Sequence, residues 1–346
     1  MGVTSNLVLP PLSTIYAIVT KARLVAYQKG WFSVTALPVP VVSVGNLTTG
    51  GTGKTPMVEF VCRMLARDHK KVCVLTRGYG RTNPRSRVVV SDGFKIAADS
   101  EVTGDEPLLL AEALKGVAAV VSDADRVAAG RWAVENLGAE VLVLDDGFQH
   151  LRLARNLNIV TIDATNPWGG GHLLPRGRLR ESPEGLRRAD CVVITRADQS
   201  KDLVSLRDAI RRFSNARPVF TSVMKVRGTM TVDSGLSTEL DSLPQPTAAF
   251  AGIGNPRAFF DQLNRAGVDL AFSKAFPDHH RYSQSDLDEL IQEAGRLAAQ
   301  SLVTTAKDAV KLRSLSLEIP CYVLDIEVAI DEKDKFVEMI RAALSR

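Results

Sequence analysis

At 346 residues, with 45% hydrophobic and 24% charged residues and a formal net charge of +4, the chain has an ordinary globular composition and is long enough for two domains. The basic excess is mild and dispersed, with no aromatic-interleaved basic block and no zinc spacing. That argues against a nucleic-acid binder and leaves anionic or phosphorylated partners open. Cys62, Cys73, Cys191 and Cys321 form no Cys-x-x-Cys pair and read as buried free thiols of a reducing cytoplasm.

Residues 5–20 carry no charge, but Pro10 and Pro11 interrupt them and Lys21 and Arg23 follow. The stretch is too short and broken for a membrane span, and it lacks the basic start and cleavage site of a signal peptide. Over 13–28, Ile15, Ile18, Val19, Ala22, Val25 and Ala26 recur at helical spacing, with Tyr16, Tyr27, Trp31 and Phe32 as interfacial aromatics. Two readings stand: a helix packed on its own domain, or an amphipathic helix lying on an anionic membrane surface.

Next, the β-branched run Val39, Val41, Val42, Val44 predicts a strand that breaks into Thr48-Thr49-Gly50-Gly51-Thr52-Gly53-Lys54-Thr55, followed by a helix over 58–65. Strand, glycine loop, Lys-Thr and helix describe a phosphate cradle, in which backbone N–H groups and the helix N-terminus converge on phosphate oxygens. Lys54 would reach the β- and γ-phosphates and the Thr55 hydroxyl would ligate Mg²⁺. Thr48 stands where the strict P-loop pattern has its first glycine.

Further strands are predicted at 71–76, 117–121, 141–144, 158–163 and 191–195, with a short hairpin over 88–97 and helices at 107–114 and 126–137. The alternation implies an α/β fold of the P-loop NTPase type, a parallel sheet with helices on both faces. Ligands collect at the carboxyl ends of such strands, where the loop, Arg77 and Asp145-Asp146 all fall. An arginine-bearing loop over 166–188 follows, then extended segments over 219–233 with a turn at Arg227-Gly228, and a polar connector over 235–246. A second, smaller α/β unit follows, with strands at 248–251, 302–305 and 321–324 and helices at 259–266 and 285–298.

Asp145-Asp146, delivered by Val141-Leu142-Val143-Leu144, has the form of a Walker B carboxylate directed at a metal. Asp105 and Glu106 precede a helix, and nothing in these residues by themselves goes beyond simple capping by Asp with a proline at the first helical position. Asp278-His279-His280 has the composition of a proton relay. Thr195-Arg196-Ala197-Asp198 resembles the Asn/Thr-Lys-x-Asp base-recognition motif of GTP-binding proteins, and a strand end with a polar turn explains it equally well. A partitioning-type ATPase is the other rival, disfavoured because Thr49 occupies its signature lysine position.

Taken together, these motifs resemble the tetraacyldisaccharide 4'-kinase family of lipid A biosynthesis. The carriers are Gly50-Gly51-Thr52-Gly53-Lys54-Thr55-Pro56, Thr76-Arg77-Gly78-Tyr79-Gly80-Arg81, Gly104-Asp105-Glu106-Pro107, Asp145-Asp146-Gly147-Phe148-Gln149-His150, Phe276-Pro277-Asp278-His279-His280 and Thr305-Ala306-Lys307-Asp308. The resemblance implies ATP-dependent phosphorylation of the 4'-hydroxyl of a tetraacyldisaccharide 1-phosphate, by a peripheral protein at the cytoplasmic face of the bacterial inner membrane. It implies a membrane-associating helix over 1–30, a P-loop kinase domain over 31–218, a two-stranded linker over 219–246 and a smaller domain over 247–346. ATP, Mg²⁺ and the lipid are the expected ligands, with no nucleic acid, and a monomer is expected. Residue by residue, Asp105 is the general base, tuned by His279 or His280. Lys54 and Arg126 stabilise phosphate charge. Thr55 and Asp146 hold Mg²⁺, with Asp145, Gln149 and Glu181 nearby. Arg176, Arg178 and Ala306 depart from the family pattern.

Overall fold

A computed structural model describes residues 3–78, 83, 86–97, 100–278, 280–312 and 315–345. The chain divides into two units, Met1–Val223 with Val328–Arg346, and Met224–Glu327.

In chain order the first unit holds α1 (Val3–Gln28), β1 (Val41–Asn46), α2 (Lys54–Arg67), β2 (Val72–Thr76), β3 (Val88–Ser91), α3 (Ser100–Thr103), α4 (Asp105–Ala113), β4 (Ala118–Ser122), α5 (Arg126–Leu137), β5 (Val141–Asp145), β6 (Leu157–Asp163), β7 (Cys191–Thr195), α6 (Leu203–Phe213) and the start of β8 (Val219–Thr231). Its strands line up as β8-β7-β6-β1-β5-β2-β4-β3, parallel throughout except that β3 runs antiparallel to β4. The central strands β1, β2, β4 and β7 are buried along their whole length because both faces are covered. On one face Val42, Val44 and Val143 pack with Met57, Val58 and Val61 of α2. On the other, Val41, Leu75 and Leu142 meet Val127, Ala129 and Ala133 of α5, and Val160 and Val192 meet Leu206 and Ile210 of α6. β1 lies between β5 and β6, so the glycine loop leaves the middle of the sheet at its carboxyl edge.

β8 and β13 (Cys321–Ile330) carry the chain out of this unit and back. Between them lie β9 (Ser237–Thr238), β10 (Thr247–Ala251), α7 (Pro256–Arg265), β11 (Leu270–Ala275), α8 (Gln284–Arg296), β12 (Ser301–Thr304) and α9 (Ala306–Ala309), and α10 (Lys333–Leu344) follows. In the second unit β11-β10-β12-β13 form a parallel sheet. Phe250, Leu287, Leu290 and Leu302 form one side of its core, and Ala249, Phe259, Leu263 and Leu324 the other.

Several expectations change. The turn at Arg227-Gly228 is absent: β8 is one 13-residue strand. Gly228 instead admits β9, since a Cβ there would lie 2.4 Å from the Thr238 carbonyl oxygen. The chain turns after Thr231, where the Thr231 and Ser234 hydroxyls bond at 2.7 Å. Residues 328–346, expected in the second domain, belong to the first unit, where Phe336 and Ile340 of α10 are fully buried beside Phe60 and Phe220. α1 begins well before residue 13 and runs through Pro10 and Pro11. All four cysteines are buried and unpaired.

Candidate active site

The glycine loop is held from below by hydroxyl and amide side chains. Asn46, at the buried end of β1, donates through Nδ2 to Thr52 Oγ1 at 2.8 Å, and Thr52 Oγ1 lies 3.0 Å from Thr161 Oγ1 on β6. Gly53 caps α2 with φ +76°, and a Cβ there would meet Thr195 Cγ2 at 3.1 Å. Both the left-handed backbone and the close approach call for glycine. No side chain caps α2, so its first N–H groups are left for an anion. From above, the 166–188 loop straps the cradle: Arg180 N donates to Leu47 O at 2.7 Å and Thr49 N to Arg178 O at 2.8 Å.

β5 delivers Asp145 and Asp146 beside this loop, with Asp146 in a left-handed turn (φ 56°). Lys54 Nζ lies 3.7 Å from Asp146 Oδ1, and Arg180 Nη1 donates to Asp146 Oδ2 at 2.6 Å. Thr76 Oγ1, from the end of β2, donates to Asp145 Oδ2 at 3.1 Å. Burial pushes both carboxyls up. For Asp146 the charges of Lys54 and then Arg180 outweigh it and hold the group below the usual carboxylate range. For Asp145 the charge of Lys54 and the Thr76 hydrogen bond do not suffice: burial, followed by the charge of Asp146, pushes it up to about 6.

This end of the site suits a hard divalent cation. Burial and then its neighbour's charge push the Asp145 carboxyl up, and Asp146 Oδ1 is a buried acceptor with no hydrogen bond. The added charge of a divalent cation would relieve both. Among the described residues no three His, Cys, Asp or Glu side chains cluster as a metal site on their own. The donor set therefore fits a cation held by a hydroxyl, one or two carboxylates and ligand oxygens.

Gln149 Nε2 donates both to Asn46 O and to Glu181 Oε1, each at 2.9 Å. Glu181 also pairs with Arg188, whose guanidinium lies 4.2 Å over the Phe148 ring. Arg126 opens α5 behind Asp125, which caps by accepting from Val127 N and Ala128 N. It is buried, and its charge helps to depress Asp146. Burial, then Arg126 and Arg155, push His150 down to about 4, so its imidazole is neutral.

The structure thus brings together the loop 48–55, Lys54, Arg126, Asp145, Asp146, Gln149 and Glu181. Asp105 is the first residue of α4, preceded by Gly104 at φ 84°, with no side-chain cap. The expected capping by Asp and proline at the first position does not occur; Pro107 is the third residue of the helix. α4 packs through Leu110 and Ala111 in the same core as Met57 and Val58 of α2, and the charge of Glu106 is felt at Asp145. His279 lies outside the described residues. His280, in the second unit, bonds through Nε2 to Asp286 Oδ2 at 3.2 Å and stacks on Phe276 with centroids 4.7 Å apart. Asp286 closes the capping box of α8, so this imidazole is tied to a helix start. Sequence marks Arg180 only as one arginine of the 166–188 loop and Thr76 only as the first residue of the Thr76–Arg81 motif; each meets its carboxylate only through the fold.

A family model described as tetraacyldisaccharide-1-P 4'-kinase matches residues 5–345. The tetraacyldisaccharide 4'-kinase of Geobacter metallireducens is 43% identical over 302 residues, covering 87% of this chain and 87% of the relative. That of Syntrophus aciditrophicus is 38% identical over 344 residues, covering 96% and 92%. Among solved structures, LpxK from Aquifex aeolicus in complex with ATP superimposes with a TM-score of 0.81 at 31% identity, covering 96% of this chain and 98% of the other.

Proposed function

The chain belongs to the tetraacyldisaccharide-1-P 4'-kinase family, and from that premise we infer that it transfers the γ-phosphoryl group of ATP to the 4'-hydroxyl of a tetraacyldisaccharide 1-phosphate in lipid A biosynthesis. The observation that carries the reading is the approach of Lys54 to Asp146 at 3.7 Å, across two neighbouring parallel strands. It joins a phosphate-binding loop to the carboxylate that phosphoryl transfer requires.

In this reading the loop N–H groups and the start of α2 bind the phosphates, and Lys54 and Arg126 oppose their charge. Thr55 and Asp146 would hold Mg²⁺, with Asp145, Gln149 and Glu181 around them. The ion, when bound, supplies charge neutralisation at the phosphates. With a loose transition state, positioning and electrostatics carry most of the rate. Asp105 accepts the proton of the 4'-hydroxyl; that assignment, and the tuning part given to His279 or His280, rest on the family resemblance.

The acceptor's acyl chains give α1 a role at an anionic membrane surface. Ile15, Ile18 and Val19 are 58%, 62% and 59% exposed, and Trp31 and Phe32 extend the apolar surface. Ser13 Oγ and Tyr16 OH on the inner side donate to Leu173 O at 2.9 Å and Arg180 O at 3.0 Å. No helix among the described residues is long and apolar enough to cross a membrane, so adsorption by one face is the mode that fits. We place the enzyme peripherally, at the cytoplasmic face of the inner membrane.

Transfer of ³²P from γ-labelled ATP to tetraacyldisaccharide 1-phosphate in detergent micelles tests the function. Labelled lipid that requires Mg²⁺ and disappears in Lys54→Ala is expected. Nucleotide hydrolysis with no labelled lipid would contradict the assignment.

A further inference from the structure

Thr195-Arg196-Ala197-Asp198 has no catalytic part in the chemistry described so far, yet its first two residues bond to carbonyls of the phosphate loop. We propose that Arg196, with Asp163, is a positioning residue that fixes the peptide orientations of the glycine loop for ATP; the proposal rests on the reading of that loop as the ATP site.

β7 ends at Thr195, and Arg196 enters the left-handed region at φ 52°. That backbone is uncommon outside glycine and persists only where its surroundings hold it. The turn throws the guanidinium back over the loop. Nη2 donates to Gly51 O at 3.0 Å, and Nη1 pairs with Asp163 Oδ2 at the end of β6. Asp163 is itself fixed, its Oδ1 accepting from Thr165 N at 3.0 Å and Thr165 Oγ1 at 2.8 Å. One residue earlier, Thr195 Oγ1 donates to Thr52 O at 3.0 Å, while its methyl group packs under Gly53. Residues 195 and 196 therefore touch Gly51, Thr52 and Gly53 in succession.

The consequence follows from peptide geometry. In a planar trans peptide C=O and N–H point in opposite directions. Holding the Thr52 carbonyl down on Thr195 turns the Gly53 N–H away from β7, and holding the Gly51 carbonyl on Arg196 fixes the preceding peptide, whose Thr52 N–H closes the loop turn by donating to Gly50 O at 3.0 Å. An N–H oriented in this way, as that of Gly53, is what a phosphate recognises. The planar fork suits Arg196 to this task, because two nitrogens reach two fixed oxygens at once. Asp163 balances its charge, so the pair contributes orientation more than field.

The prediction is a loss of ATP affinity with little loss of turnover. Binding of a non-hydrolysable ATP analogue with Mg²⁺ to the full chain is measured by calorimetry for the parent, Arg196→Ala, Asp163→Asn, the double variant and Arg196→Lys. Alongside it, kcat and both KM values are measured, and thermal unfolding without ligand reports the fold. Arg196→Ala is expected to weaken the analogue about tenfold or more, the scale of a hydrogen bond to a charged group. KM for ATP should rise in parallel while KM for the lipid stays put and kcat stays within about threefold. The double variant should be no worse than the weaker single one, because the two residues act as one unit. Arg196→Lys, which keeps the charge and loses the fork, should fall between parent and Arg196→Ala; it carries the test alone if the alanine variant does not fold. Unchanged affinity in a folded variant, additive losses, or a loss for the adenine analogue that spares its guanine counterpart would each overturn the brace, the last in favour of base reading. A parent chain that binds the analogue but labels no lipid would sink the lipid-kinase assignment and leave these binding numbers to judge the brace.

Discussion

Asp145 and Asp146 are adjacent in the chain and shift in opposite directions, because only Asp146 faces Lys54 and Arg180 closely. Asp145 is pushed up to about 6 from an ordinary 3.8. A carboxyl harder to ionise in the folded than in the unfolded chain stabilises fully below the unfolded value, and that contribution is lost as pH rises through about 6. The loss is on the order of 3 kcal/mol. Asp145→Asn should therefore be more stable than the parent at pH 7.5 in denaturant titrations without Mg²⁺, with the gap closing near pH 4. A gap that does not change with pH would contradict this. Lys54→Ala should lower kcat about 10²- to 10³-fold, the scale of losing one preorganised charge-stabilising group, while the lipid KM holds. Asp105→Ala should lower kcat strongly with analogue binding retained, and an unchanged kcat would remove Asp105 from the mechanism. The loop and Asp145-Asp146 were legible in sequence because each is a contiguous run with a chemical pattern of its own. Arg180 and Asp146 are 34 positions apart, and Arg196 and Asp163 are 33 apart. Nothing in either local pattern announces the pairing.

Among the elements, α1 shows how a correct reading can sort residues wrongly. Helical spacing grouped Ile15, Ile18, Val19, Ala22, Val25 and Ala26 on one face. In the structure Ile15, Ile18, Val19 and Ala22 are exposed while Ala26 is buried, because Ser13 and Tyr16 fix the rotation of the helix through carbonyls of a loop about 160 residues on. If the exposed side adsorbs to membrane, replacing Ile15, Ile18 and Val19 by Ser removes on the order of 1 kcal/mol each. Sedimentation with vesicles containing phosphatidylglycerol should show about a hundredfold weaker binding and unchanged thermal unfolding. Binding equal to that of the parent would return α1 to the role of a packed helix. β11 escaped sequence reading for another reason: it is an edge strand of intermediate exposure, without the apolar run that marks the central strands.

For the molecule as a whole, the chain leaves the first unit on β8 and returns on β13, so its last helix belongs with its first core. The pattern Phe336, Ile340, Ala343 at helical spacing was present in the sequence; what it could not tell was which core those residues enter. Phe336 lies 5.9 Å from Phe60 and 5.1 Å from Phe220, ring to ring. Phe336→Ala should cost the first unit about 3–5 kcal/mol, read by denaturant unfolding followed at Trp132 and Trp168. A loss confined to the second unit would contradict the division of the chain described above.

The most direct test of the central claim is the position of the new phosphate. The lipid product of a reaction with Mg²⁺ and ATP, analysed by ³¹P–¹H correlation NMR, should show a second phosphorus coupled to the 4' proton beside the original anomeric phosphate. A phosphorus coupled only to the anomeric phosphate, as in a diphosphate at position 1, or inorganic phosphate alone, would contradict a 4'-kinase.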